Sequence, residues 1–164
     1  SGALEVLLRE NKIDPDKAKI DNVIKAFAEL PPHPDVQPAF RMLREAGLPI
    51  FALTNGSVET TKKMFANSGL EDQVEQFISI DAVKHWKPAA AVYLHAAKVA
   101  RVKPEELALV AAHDWDIDGA NRAGLTTGYI ARKQPICSPA MNQADVAAGQ
   151  SLTELVQGLL ELNA

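Results

Sequence analysis

A single cysteine among 164 residues, no surplus of basic groups and no long apolar run set the first limits on this chain. Cys137 has no second thiol to pair with, so no internal disulfide holds the fold, and a reducing, cytoplasmic setting is the expectation. Lysine and arginine number 17 against 21 aspartates and glutamates, a formal charge of −4. A nucleic-acid or anionic-membrane surface needs a basic excess, so neither is expected as a partner, and any bound anion must be held by local groups. Nothing approaches the roughly 20 apolar residues of a membrane span, and no basic-then-apolar leader opens the sequence. Repeats, low-complexity tracts, a glycine-rich phosphate loop and a serine nucleophile elbow are all missing. His33, His85 and His95 show neither i, i+4 pairing nor a carboxylate at ligand spacing, which argues against zinc.

What is present is a chain that is 47% hydrophobic and long enough for one domain to bury roughly 70% of its unfolded surface without a staple. Residues 1–30 carry helical spacing and no strand signal, with Asp14-Pro15 reading as a cap and first-turn proline. Ser1-Gly2 resembles a processing remnant, so further chain in front is expected. Pro31-Pro32-His33-Pro34 stiffens the backbone, because each residue before a proline is pushed out of the helical region, and a boundary fits there. Beyond it, helix and short apolar strand alternate. Asp35 reads as the cap of a helix with the stripe Val36, Phe40 and Leu43, ended by Gly47. The pattern predicts strands over 48–53, 77–80, 107–112 and 126–131 and near 146. It predicts helices over 58–67, 88–100, 117–123 and 152–162, and a surface loop over 134–144. Short strands that are apolar on both faces belong in a parallel sheet covered by helices, so the fold class is α/β.

In an open α/β sheet, ligands bind beyond the carboxyl ends of the strands, which directs attention to polar residues that follow apolar runs. Thr54 and Asn55 follow the first run, at the start of a helix whose free N–H groups favour an anion; Thr54 and Ser57 read equally well as plain helix caps. The run over 107–112 leads into His113-Asp114-Trp115-Asp116-Ile117-Asp118-Gly119, which imitates the opening of a calcium loop. Leu125 stands where the closing glutamate belongs, and a strand precedes the segment where a helix should, so calcium is not expected. Lys87 precedes Pro88, which marks a helix start. A cation there opposes the helix dipole by a few tenths of a kcal/mol to about one. It therefore calls for an anionic partner, either an acid such as Asp116 or a bound anion, unless it simply reaches solvent. Tyr93, Trp86 and Trp115 either face that crevice or pack against the sheet.

Taken together, LTNGS at 53–57, Lys87-Pro88 with Tyr93 inside the helix that follows, and AAHDWDIDGANRAG at 111–124 resemble the haloacid dehalogenase superfamily. The narrower likeness is to its L-2-haloacid dehalogenase (type II) branch. The resemblance implies a Rossmann-like parallel sheet core flanked by helices, with residues 1–33 as the remnant of a helical cap and residues 34–164 as a core lacking its first strand. It implies hydrolytic dehalogenation of short 2-haloalkanoic acids: an aspartate on that first strand attacks the carbon bearing the halogen, expels halide with inversion and leaves an ester that water hydrolyses. Carried across, the catalytic residues are Lys87, which steadies the charged nucleophile, and Asp116, which holds the lysine or helps activate water. Thr54 and Asn55 match a motif that binds the substrate carboxylate, Tyr93 a substrate-side tyrosine and Trp115 an active-site wall, and His113 is expected with them on the substrate side. Ala111 and His113 stand where characterised dehalogenases carry serine and asparagine. No cofactor is implied. Phosphatase relatives place a magnesium-binding aspartate where this chain has Ala112, which lowers that alternative and the Mg2+ it would bring. A non-catalytic binding or oligomerisation remnant is the reading from a different class.

The largest departure is that no Asp-x-x-Gly-Thr follows a strand anywhere in the sequence. By the resemblance, the strand that carries it is central, between the runs at 48–53 and 107–112, so its loss leaves two strand edges unpaired. The expectation is a chain inactive alone toward its small anionic substrate: a piece whose N-terminal fragment stays bound, a truncated form, or a protein that fills the gap through a partner chain, as in a homodimer, or through a changed strand order.

Overall fold

The computed structural model of the protein describes residues 2–27, 29–132 and 137–162. Two helices, α1 (Gly2–Glu10) and α2 (Lys17–Phe27), precede an alternating stretch. It runs α3 (Val36–Glu45), β1 (Phe51–Thr54), α4 (Val58–Asn67), β2 (Gln76–Ser79), α5 (Ala90–Ala100), β3 (Ala108–Ala111), α6 (Asp114–Arg122), β4 (Thr126–Ile130), β5 (Val146–Ala148) and α7 (Leu152–Glu161). All the strand pairs are parallel, and the α/β class read from the pattern is the observed one.

Three helix starts differ from the sequence reading. α2 begins beyond Asp14-Pro15, because the Asp16 carboxylate accepts the Ala18 N–H at 2.8 Å and supplies the cap. α5 begins at Ala90, two residues past Pro88: Lys87–Pro88 is a cis peptide inside a turn in which Ala89 N–H donates to the Trp86 carbonyl. α6 begins at Asp114, so the acids expected in a loop lie in its first turns, where the helix dipole favours negative charge.

The strands fall into two sheets, β1 with β2 and β3-β4-β5. β1 pairs with β2 on one edge and β3 with β4 on one edge; the other edge of each carries no strand among the described residues. Beneath this break the side chains are continuous, since Leu53 of β1 packs against a cluster of Tyr93 from α5, Leu109 from β3, Ala120 and Leu125. A second cluster joins Ile117, Tyr129 and Cys137, and a third joins Ile130 to Leu155 and Leu159 of α7. Full burial of each large apolar side chain contributes about 1.5–3 kcal/mol. The first 30 residues differ: Ile20 is buried, whereas Val6, Leu7, Ile13, Val23 and Ile24 are exposed.

Asp35 stands at the N-terminus of α3 but does not cap it. Its carboxylate accepts the Leu152 N–H at 2.7 Å and two bonds from the Arg132 guanidinium at 2.7 and 2.9 Å, tying the starts of α3 and α7 to the end of β4. Desolvation pushes the Asp35 carboxyl up, but the Leu152 amide and Arg132 outweigh it and hold it below the usual aspartate range.

Candidate active site

The site is built where β1, β3 and the turn before α5 meet. Asn55, the residue after β1, accepts the backbone N–H of Lys87 on its side-chain oxygen at 3.1 Å. Lys87 extends its ammonium to Oδ2 of Asp116 at 3.0 Å, with both side chains about nine-tenths buried. Asp116, in the first turn of α6 after β3, takes the Tyr93 hydroxyl on Oδ1 at 2.7 Å. One chain of contacts, Asn55–Lys87–Asp116–Tyr93, therefore runs across the carboxyl ends of β1 and β3. Of the partners expected for Lys87, an acid, a bound anion or solvent, the structure has the acid, Asp116, although α5 starts at Ala90 and the dipole of its first turn is not what places it.

Tyr93 is fully buried. It meets Asp116 from inside the core, so its place is beneath the pair, not in an open cleft. Burial, and then the hydrogen bond to the Asp116 carboxylate, push its hydroxyl far above the usual tyrosine range. That keeps it protonated as a donor. Thr54 and Ser57 behave locally: Thr54 Oγ1 accepts the Gly56 N–H at 2.9 Å, and Ser57 Oγ caps α4 by accepting the Thr60 N–H at 3.1 Å. His113 is exposed and lies against Trp115, with ring centroids 5.4 Å apart. Trp86, beside Lys87, is exposed. Two open depressions, of about 540 and 550 Å³, lie around Phe51 and around Arg132, and none of the four network residues lines them.

The acids of α6 divide their work by helical periodicity. Asp116 faces Lys87 and Tyr93. Asp114, Asp118 and Asn121 fall at i, i+4 and i+7 on another face and hold down the chain after β4. Asp114 accepts the Ser138 N–H at 3.2 Å, and Asp118 accepts the Asn142 backbone and side-chain N–H groups at 3.1 and 2.9 Å. Asn121 donates to the Gln143 carbonyl. Sequence reasoning missed this role, which becomes visible once α6 is known to start at Asp114. The loop expected over 134–144 is thus anchored from 137 onward; 134–136 lie outside the described residues. Among the described residues no group of three or more histidines, cysteines and acids is arranged to hold a metal ion.

Parallel sheets flanked by helices, with polar groups gathered at the carboxyl ends of two strands, define an α/β protein with a candidate site at its strand ends. Comparison with known proteins makes the class specific. The family model for haloacid dehalogenase-like hydrolases matches residues 2–124, and the chain belongs to that family. It is 30% identical over 132 residues to haloacetate dehalogenase H-2 of Moraxella sp. (strain B), a match covering 80% of this chain and 59% of that protein. It is 33% identical over 134 residues to glyceraldehyde 3-phosphate phosphatase of Methanopyrus kandleri, covering 78% of this chain and 58% of that one. A structure of L-2-haloacid dehalogenase from Xanthobacter autotrophicus with chloropropionic acid covalently bound superposes with a TM-score of 0.86 at 25% identity, covering 99% of this chain and 74% of that one. The chain thus spans less than two thirds of the two curated relatives named here.

Proposed function

We propose that this chain is part of a hydrolase that dehalogenates short 2-haloalkanoic acids through an aspartyl ester, with residues 1–33 as part of a helical cap and residues 34–164 as the core. The observation that carries the reading is the Asn55–Lys87–Asp116–Tyr93 network, set across the carboxyl ends of β1 and β3, each of which has one edge without a strand among the described residues. Along a parallel strand, successive residues turn their N–H and C=O groups to opposite edges. Ile50 O accepts from Glu75 and Leu107 O accepts from Thr126. Phe51 and Leu53 of β1, and Ala108 and Val110 of β3, therefore present theirs to the open side. In the proposed arrangement one further parallel strand pairs with both edges and ends beside Lys87. An aspartate there supplies the nucleophile that the sequence lacks.

In the reaction, a carboxylate oxygen of that aspartate bonds to C2 of the substrate from the side opposite the halogen, and the C–X electron pair leaves with the halide. Water then attacks the ester, releasing the 2-hydroxy acid and a proton and restoring the carboxylate. An ammonium carries three donor hydrogens. Asp116 engages Lys87 through one oxygen, which leaves the lysine donors for the nucleophile. Because Lys87 and Tyr93 occupy both Asp116 oxygens, the geometry favours Asp116 as the holder of the lysine over the role of water base. Asn55 fixes the Lys87 backbone, and Thr54, His113 and Trp115 form the surround of a small anionic substrate. The free, buried Cys137 suits a reducing cytoplasm.

Halide release from L-2-chloropropionate, measured for the chain alone and for a form with an N-terminal strand and aspartate restored, tests the proposal. None is expected from the chain alone and turnover from the completed form; a folded but inactive completed form would overturn it. The resemblance to the Methanopyrus phosphatase supports a second reading, which magnesium-dependent hydrolysis of a phosphate monoester by the completed form, without halide release, would favour.

A further inference from the structure

We infer that Gly119 is a positioning residue for the Lys87–Asp116 pair, acting through the room it leaves for Pro88 and for the Tyr93 hydroxyl. The inference rests on the reading of that pair as the working part of the site. Gly119 lies three residues after Asp116, on the same side of α6, and is buried. A Cβ placed on it would sit 2.6 Å from Pro88 Cβ, 2.8 Å from the Pro88 carbonyl oxygen and 2.8 Å from the Tyr93 hydroxyl oxygen. Each is too close for any real Cβ, and the groups it meets have little freedom: a proline ring, a backbone oxygen and the tip of a fully buried tyrosine.

The consequence follows from what these groups hold. Pro88 is joined to Lys87, so its seating against α6 fixes where the lysine backbone starts relative to Asp116. Tyr93 holds Oδ1 of Asp116 while Lys87 holds Oδ2. Both arms of the carboxylate thus depend on α6 approaching to a distance that only a residue without a side chain permits. A methyl group must push the 86–89 turn and the Tyr93 hydroxyl away from α6 and loosen both arms together. Misplacement of a catalytic group by about 1 Å costs on the order of 100-fold in rate.

The experiment compares Gly119→Ala with Gly158→Ala in the completed form. Gly158 is a fair control, because its added Cβ would meet Val146 Cγ1 at 2.7 Å in the contact between α7 and β5, remote from the network. Gly119→Ala is expected to lower kcat for halide release about 100-fold with KM little changed. It should also move the 13C ring resonance of Tyr93 and bring that hydroxyl's ionisation down toward the ordinary tyrosine range. Gly158→Ala should leave kcat and the Tyr93 resonance in place. Should Gly119→Ala fail to fold, Tyr93→Phe removes the hydroxyl–carboxylate bond without adding volume and should lower kcat with KM retained. A folded Gly119→Ala with the kcat and Tyr93 resonance of Gly158→Ala, or a Tyr93→Phe with unchanged kcat, overturns the inference. If the unsubstituted completed form releases no halide, it is the hydrolase reading that falls, and the Tyr93 resonance alone decides on Gly119.

Discussion

The Lys87 ammonium and the Asp116 carboxylate stand 3.0 Å apart, with side chains only 9% and 8% exposed. A pair so sheltered has lost most of its hydration, and the mutual attraction repays that loss only if the remaining hydrogen-bonding capacity is used. Tyr93 on the other carboxylate oxygen contributes to this, while the further donors of the ammonium are those left to the proposed nucleophile. The pair therefore bears on the stability of the chain as well as on the site.

Lys87→Met therefore leaves a buried carboxylate with Tyr93 but no cation and should cost about 3 kcal/mol. Asp116→Asn should cost a similar amount, and the double variant less than the sum. Urea unfolding of the four proteins measures the coupling, and strictly additive losses would show that the pair is not energetically linked.

Asp35 gives a pH dependence of known sign. Its folded carboxyl is held below its unfolded value, so the stability it contributes is present above the ordinary aspartate range and is lost as pH falls through that range to the lowered folded value. Asp35→Asn should cost about 2 kcal/mol near pH 7, from the lost bonds to Arg132 and Leu152. The difference from the unsubstituted protein should shrink as the solution is acidified below the aspartate range. Melting curves across pH check this, and a constant difference would contradict it.

The acids of α6 are committed to protein donors, so millimolar calcium should leave the melting temperature unchanged despite the calcium-loop look of residues 114–119. Asp118→Ala, which releases both Asn142 N–H groups, should speed amide exchange around residue 142 while β3 and β4 keep their protection. Exchange rates that stay the same would mean the loop is held by other contacts.

Much of this was legible in the chain itself. Hydrophobic run lengths located the strands to within a few residues, and Asp116 was among the partners expected for Lys87, beside a bound anion or solvent, although α5 starts at Ala90 and not at the Pro88 on which that expectation rested. What was not legible depends on where helices start and on tertiary closeness. Three acids in alternate positions look alike until α6 is known to begin at Asp114, which sends Asp116 one way and Asp114 and Asp118 the other. Tyr93 could have faced a cleft or the core at the same helical position, and only the packing of Leu109, Ala120 and Leu125 around it decides. Gly119 carries no signal except its lack of a side chain, and its importance is visible only once Pro88 and Tyr93 are seen against it.

Intact-mass analysis of the completed form during a single turnover of L-2-chloropropionate addresses the central claim most directly. A carboxylate on an added strand between β1 and β3, steadied by Lys87, should produce one substrate-derived adduct on the restored aspartate, formed together with halide and decaying to the 2-hydroxy acid; Lys87→Met should not form it. Halide released with no adduct on that aspartate, or an adduct that forms equally well without Lys87, would contradict the account.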